Sequence, residues 1–328
     1  MQNHAGFTGL ISEHNFSYNY PYVCWRNHLK IRDSFFYFMP LVLFAILGTS
    51  ANAAVPPPPS PTFANVVYGS IGGQNETMDV YLPSTTTGSH PCVVLVHGGG
   101  WFFGDKSFYT TFASELASDG YVAASINYRM LPKWPYPAEL DDTQLAVRYL
   151  RAHATQYHID SARFGAVGDS AGGYLVAMLG LRGTRDKALP LSQFSSRVQA
   201  VFDLYGPTDF TVNPATTPIP KEGIAIVHAF LHATETEDPA LYKSSSPITY
   251  VSPTAAPFLI VHGSSDELVP FDQSVRLAKA LAADKVSVTL LAVTGAPHGF
   301  LDSQHPGIFE AMAARFFDEH LKQKTSVP

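Results

Sequence analysis

Three residue types able to carry acyl-transfer chemistry occur in this chain in a meaningful order. Gly168-Asp169-Ser170-Ala171-Gly172 is a G-x-S-x-G string, the pattern of a serine held on a sharp strand-to-helix turn with its hydroxyl pushed outward. A serine hydroxyl is a weak nucleophile unless a base takes its proton and an acid orients that base. Asp266 comes just after the apolar run Phe258–His262, and His298 just after the run Val286–Val293. Serine, acid and histidine therefore follow one another, each placed past an apolar run. About seventy residues before the serine stands His97-Gly98-Gly99-Gly100-Trp101. Its glycines can bring backbone N–H groups close to a developing oxyanion, where such donors lower the barrier to acyl transfer. Gly99, Gly100 and Ala171 are the expected donors, with His97 anchoring the loop through its side chain.

Other residues compete for these roles. Glu267 and Asp272 lie near Asp266, but Asp266 falls directly after the strand turn. His262 ends an apolar run yet precedes the acid, which marks it as structural, and His305 and His320 lie on or near the last helical stretch. Cys92 opens the run Cys92–Val96 and reads as a small core residue.

These groups need a frame to bring them together. Met78, Val80 and Leu82 alternate with polar residues as in a half-exposed strand, and Cys92–Val96 is a continuous apolar run ending in the glycines. Tyr121–Ile126, Phe164–Val167, Val198–Leu204, Phe258–His262 and Val286–Val293 read as further strands. Phe108–Asp119, Leu140–Ala152, Ala171–Leu181, Phe271–Ala283 and Ile308–Leu321 read as helices between them. Alternation of this kind predicts an α/β domain with a mostly parallel central sheet and helices on both faces. Asp141 and Asp142 fall in the first turn of their helix, where they complement its dipole. A less regular stretch, 210–256, contains a possible helix at Gly223–Ala233 and is either a lid over the site or a surface excursion.

The N-terminal part has a different character. Phe35–Gly48 is an uncharged, mostly apolar run preceded by Arg26, Lys30 and Arg32 and followed by Ala51-Asn52-Ala53. This is the layout of a cleavable secretory leader over 1–53 with an extended polar start, cut after Ala53 or Ala54. It predicts a secreted or periplasmic protein with no stable membrane insertion after cleavage; an uncleaved anchor is the alternative. Residues 54–64 read as a Pro-rich linker and 65–328 as one catalytic domain. The two cysteines are Cys24, inside the expected leader, and Cys92, so the mature chain has no intrachain disulfide. A net charge of −6 without basic runs gives no support for nucleic-acid binding.

The set His97–Trp101, Phe102-Phe103-Gly104-Asp105-Lys106, Asn127-Tyr128-Arg129, Gly168–Gly173 and Ser246-Pro247 through Asp266 resembles the hormone-sensitive-lipase-like carboxylesterases. It is closer still to the feruloyl-esterase-like branch of bacterial α/β-hydrolases, and the match runs from about residue 65 to 320. The resemblance implies the α/β-hydrolase fold and hydrolysis of short-chain or aromatic carboxylic esters without cofactor, and no metal site is expected; the expected export would fit plant-polymer-type esters outside the cytoplasm. It also implies Ser170, Asp266 and His298 as the triad and Gly99, Gly100 and Ala171 as the oxyanion hole. The short stretch before His97 leaves any lid to come from 210–256. Its partners would be small-molecule or polymer-linked esters. The same triad could serve an amidase, arylformamidase or peptidase, and a non-catalytic binding protein of this fold is the remote alternative. Trp101, Phe102, Tyr128, Met130, Tyr174, Tyr205 and Phe300 flank the catalytic loops and are candidates to line the substrate pocket.

Overall fold

A computed structural model of the chain describes residues 59–85, 87–183, 188–211, 220–300 and 307–322. The expected leader, the start of the expected linker and His305 lie outside them. Eight strands form one sheet: β1 (Phe63–Ile71), β2 (Gln74–Tyr81), β3 (His90–Val96), β4 (Val122–Ile126), β5 (Ile159–Asp169), β6 (Ala200–Leu204), β7 (Phe258–Gly263) and β8 (Val288–Val293). Their spatial order is β1-β2-β4-β3-β5-β6-β7-β8. The hairpin of β1 and β2 adds antiparallel to β4, and from β4 to β8 every pairing is parallel. This is the α/β-hydrolase architecture.

The apolar runs become central strands because both faces of the sheet are covered. Along β3, Cys92, Val94 and Val96 join the core on one face, while Val93 and Leu95 join the core on the other, as the two-residue strand period requires. The first face carries α2 (Ala138–Ala152), α3 (Ala171–Leu181) and α6 (Asp272–Ala283). The second carries α1 (Thr110–Ser118) and α7 (Ile308–Leu321). Every residue of α3 is buried, which explains why its sequence is apolar all round and not striped. Cys92 sits wholly inside the core, where burial pushes its thiol pKa up, consistent with a packing role.

Several boundaries differ from expectation for local reasons. The stretch expected to form one helix from Phe108 starts instead as a 3-10 turn, Lys106–Tyr109, capped by the Asp105 side chain. β5 begins earlier, at the buried Ile159, and runs through the mostly polar, partly exposed stretch 160–163, which interrupts the apolar signature. β1 starts at Phe63, within the segment expected to be linker, and buries only Tyr68 fully. In the excursion between β6 and β7, the expected helix is α4 (Lys221–Leu231), and α5 (Pro239–Ser245) follows it.

Candidate active site

The C-terminal ends of the parallel strands lie level with one another: Val96 pairs with Gly168, Leu204 with Val261, and Gly263 with Val293. Loops leaving these ends therefore meet in one place, as ligand sites in open α/β sheets do. Ser170 stands between β5 and α3 with φ 51° and ψ −117°, a sparsely populated conformation for a side chain with a Cβ. The turn is held by Ser170 N–H donating to Leu204 O at 2.8 Å, and Tyr174 N–H donating to Ser170 O at 3.0 Å. Gly172 makes the reversal possible, since a Cβ there would overlap the Val96 carbonyl.

The structure brings the three expected residues into one hydrogen-bonded chain. Ser170 Oγ lies 2.9 Å from His298 Nε2, and His298 Nδ1 lies 2.7 Å from Asp266 Oδ2. A carboxylate only accepts, so Nδ1 carries the proton and Nε2 is free to accept from the serine. Asp266 Oδ1 accepts from the N–H groups of Leu268 (2.9 Å) and Val269 (2.8 Å), and Oδ2 also faces His262 Nε2 at 3.1 Å. Burial alone would raise this carboxyl. The hydrogen bonds from His262 and His298, the His298 charge and the Leu268 N–H outweigh it and hold the group well below the usual carboxylate range. Of the rivals, neither Glu267 nor Asp272 reaches His298; Asp272 pairs with Arg276.

The glycine loop is tied to the nucleophile turn. Asp169 Oδ1 accepts from Gly98 N–H (2.9 Å) and from the Tyr109 hydroxyl (2.8 Å), and burial raises its carboxyl against those bonds. Gly99 has φ 112°, and a Cβ on it would overlap the Phe103 carbonyl. His97 Nδ1 donates to Gly98 O at 2.8 Å, its ring stacks on Tyr128 at 4.4 Å, and the Tyr128 hydroxyl donates to His97 O. Burial lowers the pKa of His97, and the ring makes no contact with Ser170, so it braces the loop. Ala171 is the first residue of α3, so its N–H has no intrahelical acceptor and adds to the positive end of the helix dipole.

Two cavities open on either side of Ser170. The smaller, about 110 Å³, is apolar and is lined by Gly100, Trp101, Ala171 and Phe210, with Ile224, Ile226 and Val227 of α4. The larger, about 630 Å³, is lined by Gly99, Phe102, Phe103, Phe108, Tyr205 and His298. Gly100, Ser170, Leu268 and Ile226 of α4 border both, so these four residues stand between the two spaces. Trp101 stacks on Phe230 at the end of α4 (centroids 3.8 Å apart), which holds α4 in place.

The aromatic candidates thus divide. Trp101 and Phe102 line the cavities, and Tyr205 sets its ring against His298 at 4.9 Å with Phe300 behind it at 5.2 Å. Tyr128 and Tyr174 are buried core, and Met130 packs against that core. Sequence reasoning missed the tying role of Asp169 and the contact of His262 with Asp266. The i, i+4 spacing in His262-Gly263-Ser264-Ser265-Asp266 was the available signal for the latter.

A family model described as BD-FAE matches residues 78–281, more than half of the chain. The chain belongs to the BD-FAE family. Among curated proteins, this BD-FAE chain is 30% identical to esterase LipC of Mycobacterium tuberculosis over 77% of its own length and 64% of that protein. It is 27% identical to the isoprenylcysteine alpha-carbonyl methylesterase ICME of Arabidopsis thaliana over 74% and 57%. The chain spans roughly half to just under two thirds of the length of the first curated relatives it matches. Among solved structures, a truncated carbohydrate esterase from gut microbiota superposes with TM-score 0.68 at 27% identity, covering 80% of this chain and 96% of that one.

Proposed function

We propose that this protein is a serine carboxylesterase acting on esters that join a short acyl group to a bulkier alcohol. The observation that carries the reading is the unbroken chain Ser170 Oγ–His298 Nε2, His298 Nδ1–Asp266 Oδ2 at the strained turn. In this reading Ser170 Oγ attacks the acyl carbon while its proton passes to His298 Nε2, and Asp266 steadies the resulting imidazolium. The N–H groups of Gly99, Gly100 and Ala171 hold the oxyanion. The intermediate collapses as His298 gives its proton to the alcohol oxygen and the C–O bond breaks. Water then adds to the acyl-enzyme, losing a proton to His298, and the acid leaves as Ser170 regains its hydrogen. Curated relatives named as esterases support this chemistry.

The two cavities support the division of the substrate. His298 must reach the alcohol oxygen, and it lines the larger cavity but not the smaller one. The alcohol therefore faces the larger space, and the acyl group enters the smaller apolar one beside Gly100 and Ala171. Phe102, Phe103 and Phe108 on the larger cavity are 40%, 65% and 66% exposed, offering flat faces on which a ring can stack. The likeness to a carbohydrate esterase favours a sugar as that ring. The reading extends to export: the leader pattern Arg26–Ala54 directs the enzyme out of the cytoplasm, toward esters of extracellular carbohydrate.

The test is labelling with a fluorophosphonate followed by peptide mass mapping, together with a hydrolysis panel. Ser170 is expected to carry the label, and short-chain p-nitrophenyl esters and acetylated oligosaccharides are expected to be cleaved. A folded protein that takes no label at Ser170 would overturn the reading. Ile226→Ala should merge the two spaces and raise the preference for longer acyl chains by about tenfold in kcat/KM; an unchanged chain-length profile would remove α4 from selectivity.

A further inference from the structure

His262 stands outside the three-residue chain, yet it shares an oxygen with it. Asp266 Oδ2 faces His298 Nδ1 at 2.7 Å and His262 Nε2 at 3.1 Å, so one carboxylate oxygen takes two imidazole N–H groups. The tautomer of His262 follows from its surroundings. Nε2 faces two acceptors, Asp266 Oδ2 and Val269 O (2.9 Å), and must carry the proton. Nδ1 faces Ser274 Oγ at 2.7 Å and in the neutral ring accepts from that hydroxyl. His262, Ser274 and the Asp266 side chain are fully buried, so water does not replace any of these bonds.

We propose that His262 is a positioning residue for the esterase reaction, which locks Asp266 from behind and competes with His298 for the same carboxylate oxygen. This rests on the serine-esterase reading above. The lock is geometric. With Leu268 and Val269 on Oδ1 and two histidines on Oδ2, the carboxylate has four donors and one available orientation, and the bond to Val269 O ties the end of β7 to the loop that carries Asp266. The competition is electrostatic. Negative charge spent on the His262 N–H is not available to the His298 N–H, so Asp266 stabilises the His298 imidazolium less than an aspartate with a single histidine would. The groups facing this pair are few. Asp169 lies toward His298, and Glu310 borders the same cavity. Asp203, whose carboxyl burial raises to about 6 against the bond from the Gly206 N–H, lies toward His262. The Tyr205 ring stands edge-on to both histidines.

The experiment is the pH profile of kcat/KM on a short-chain p-nitrophenyl ester for wild type, His262→Leu and His262→Gln, with phosphonate labelling of Ser170 in each. Leucine removes the donor without leaving a buried polar atom, and glutamine returns an N–H near the Nε2 position. The acid limb of the leucine variant is expected to move up by about 0.5–1 pH unit, with KM changing less than about twofold. Glutamine is expected to bring the limb back toward wild type. A leucine profile that superimposes on wild type, or a glutamine variant as displaced as leucine, overturns the inference. If the leucine variant does not fold, His262→Met serves in its place: it too removes the Nε2 donor facing Asp266 Oδ2, the same upward shift is expected, and an unmoved limb overturns the inference. Failure of wild-type labelling would strike the esterase reading itself, whereas normal labelling with an unmoved limb strikes only the role of His262.

Discussion

Ser170→Ala is expected to lower kcat by about 10⁴–10⁶-fold while the protein stays folded. The hydroxyl is the one atom in the site placed to attack, with His298 Nε2 at 2.9 Å and the α3 N-terminus behind it. Loss of this oxygen removes the covalent route. What remains is the electrostatic pull of the glycine loop on any ester that binds, which accounts for a small residual rate. Ser170 has φ 51°, a conformation alanine is expected to keep at the same steric cost, so the strain should be unchanged while one hydrogen bond is lost. A shift in thermal midpoint of no more than a few degrees is therefore expected. Initial-rate kinetics with p-nitrophenyl butyrate and a thermal melt check both halves. An alanine variant within tenfold of wild type would take Ser170 out of the reaction.

Asp266→Asn is expected to cost about 10³–10⁴-fold in kcat. The reason lies in the donor count around the carboxylate. Leu268 and Val269 N–H both point at Oδ1, and His298 and His262 both present N–H to Oδ2. An asparagine has one carbonyl oxygen and one NH₂ group. If the oxygen stays with the backbone donors, the NH₂ group opposes two imidazole N–H groups, and His298 relieves the clash by shifting its proton to Nε2. That tautomer cannot accept from Ser170. Measurement of kcat with the short-chain ester, alongside phosphonate labelling, reads the loss directly; a decrease below about tenfold would mean that Asp266 does not orient the base. The wild-type carboxyl titrates below its unfolded value, so the stability it adds is present above about pH 4 and is lost only as pH falls toward that depressed value.

Much of the frame was legible because central parallel strands are continuous apolar runs. Cys92–Val96, Val122–Ile126, Ala200–Leu204 and Phe258–His262 are buried on both faces, and burial on both faces leaves the plainest mark a strand can leave. β1 left none. It lies at the sheet edge with Tyr68 as its one fully buried residue, so neither a run nor an alternation reveals it. Pro56–Pro59 ahead of it reads as linker. The placement of Ser170, Asp266 and His298 together was readable from chain order and apolar runs. The contact of His262 was not, because the order rule looks for histidine after the acid. Here a histidine four residues before Asp266 reaches it from the strand end. The cavities were equally hidden: Phe210 and Ile226 come to line the space beside the serine, and Phe230 to stack on Trp101, only through the path of the excursion that carries them.

That excursion leaves the sheet after Leu204 and returns at Phe258, on strands that are hydrogen-bonded neighbours. The Ser170–His298–Asp266 chain and the glycine loop lie outside it, on the nucleophile turn, the loops after β7 and β8, and the loop after β3. Within it lie the residues that give the smaller cavity its far wall. The fold thus separates reactivity from taste. Under the proposed esterase reading, the segment is an exchangeable cassette with closely spaced ends, and rewriting it is expected to change the acyl group accepted while the chemistry stays in place. One graft condition follows from the Trp101–Phe230 stack: a replacement cassette must bring an aromatic ring back beneath Trp101, or the loop that meets the oxyanion loses its support.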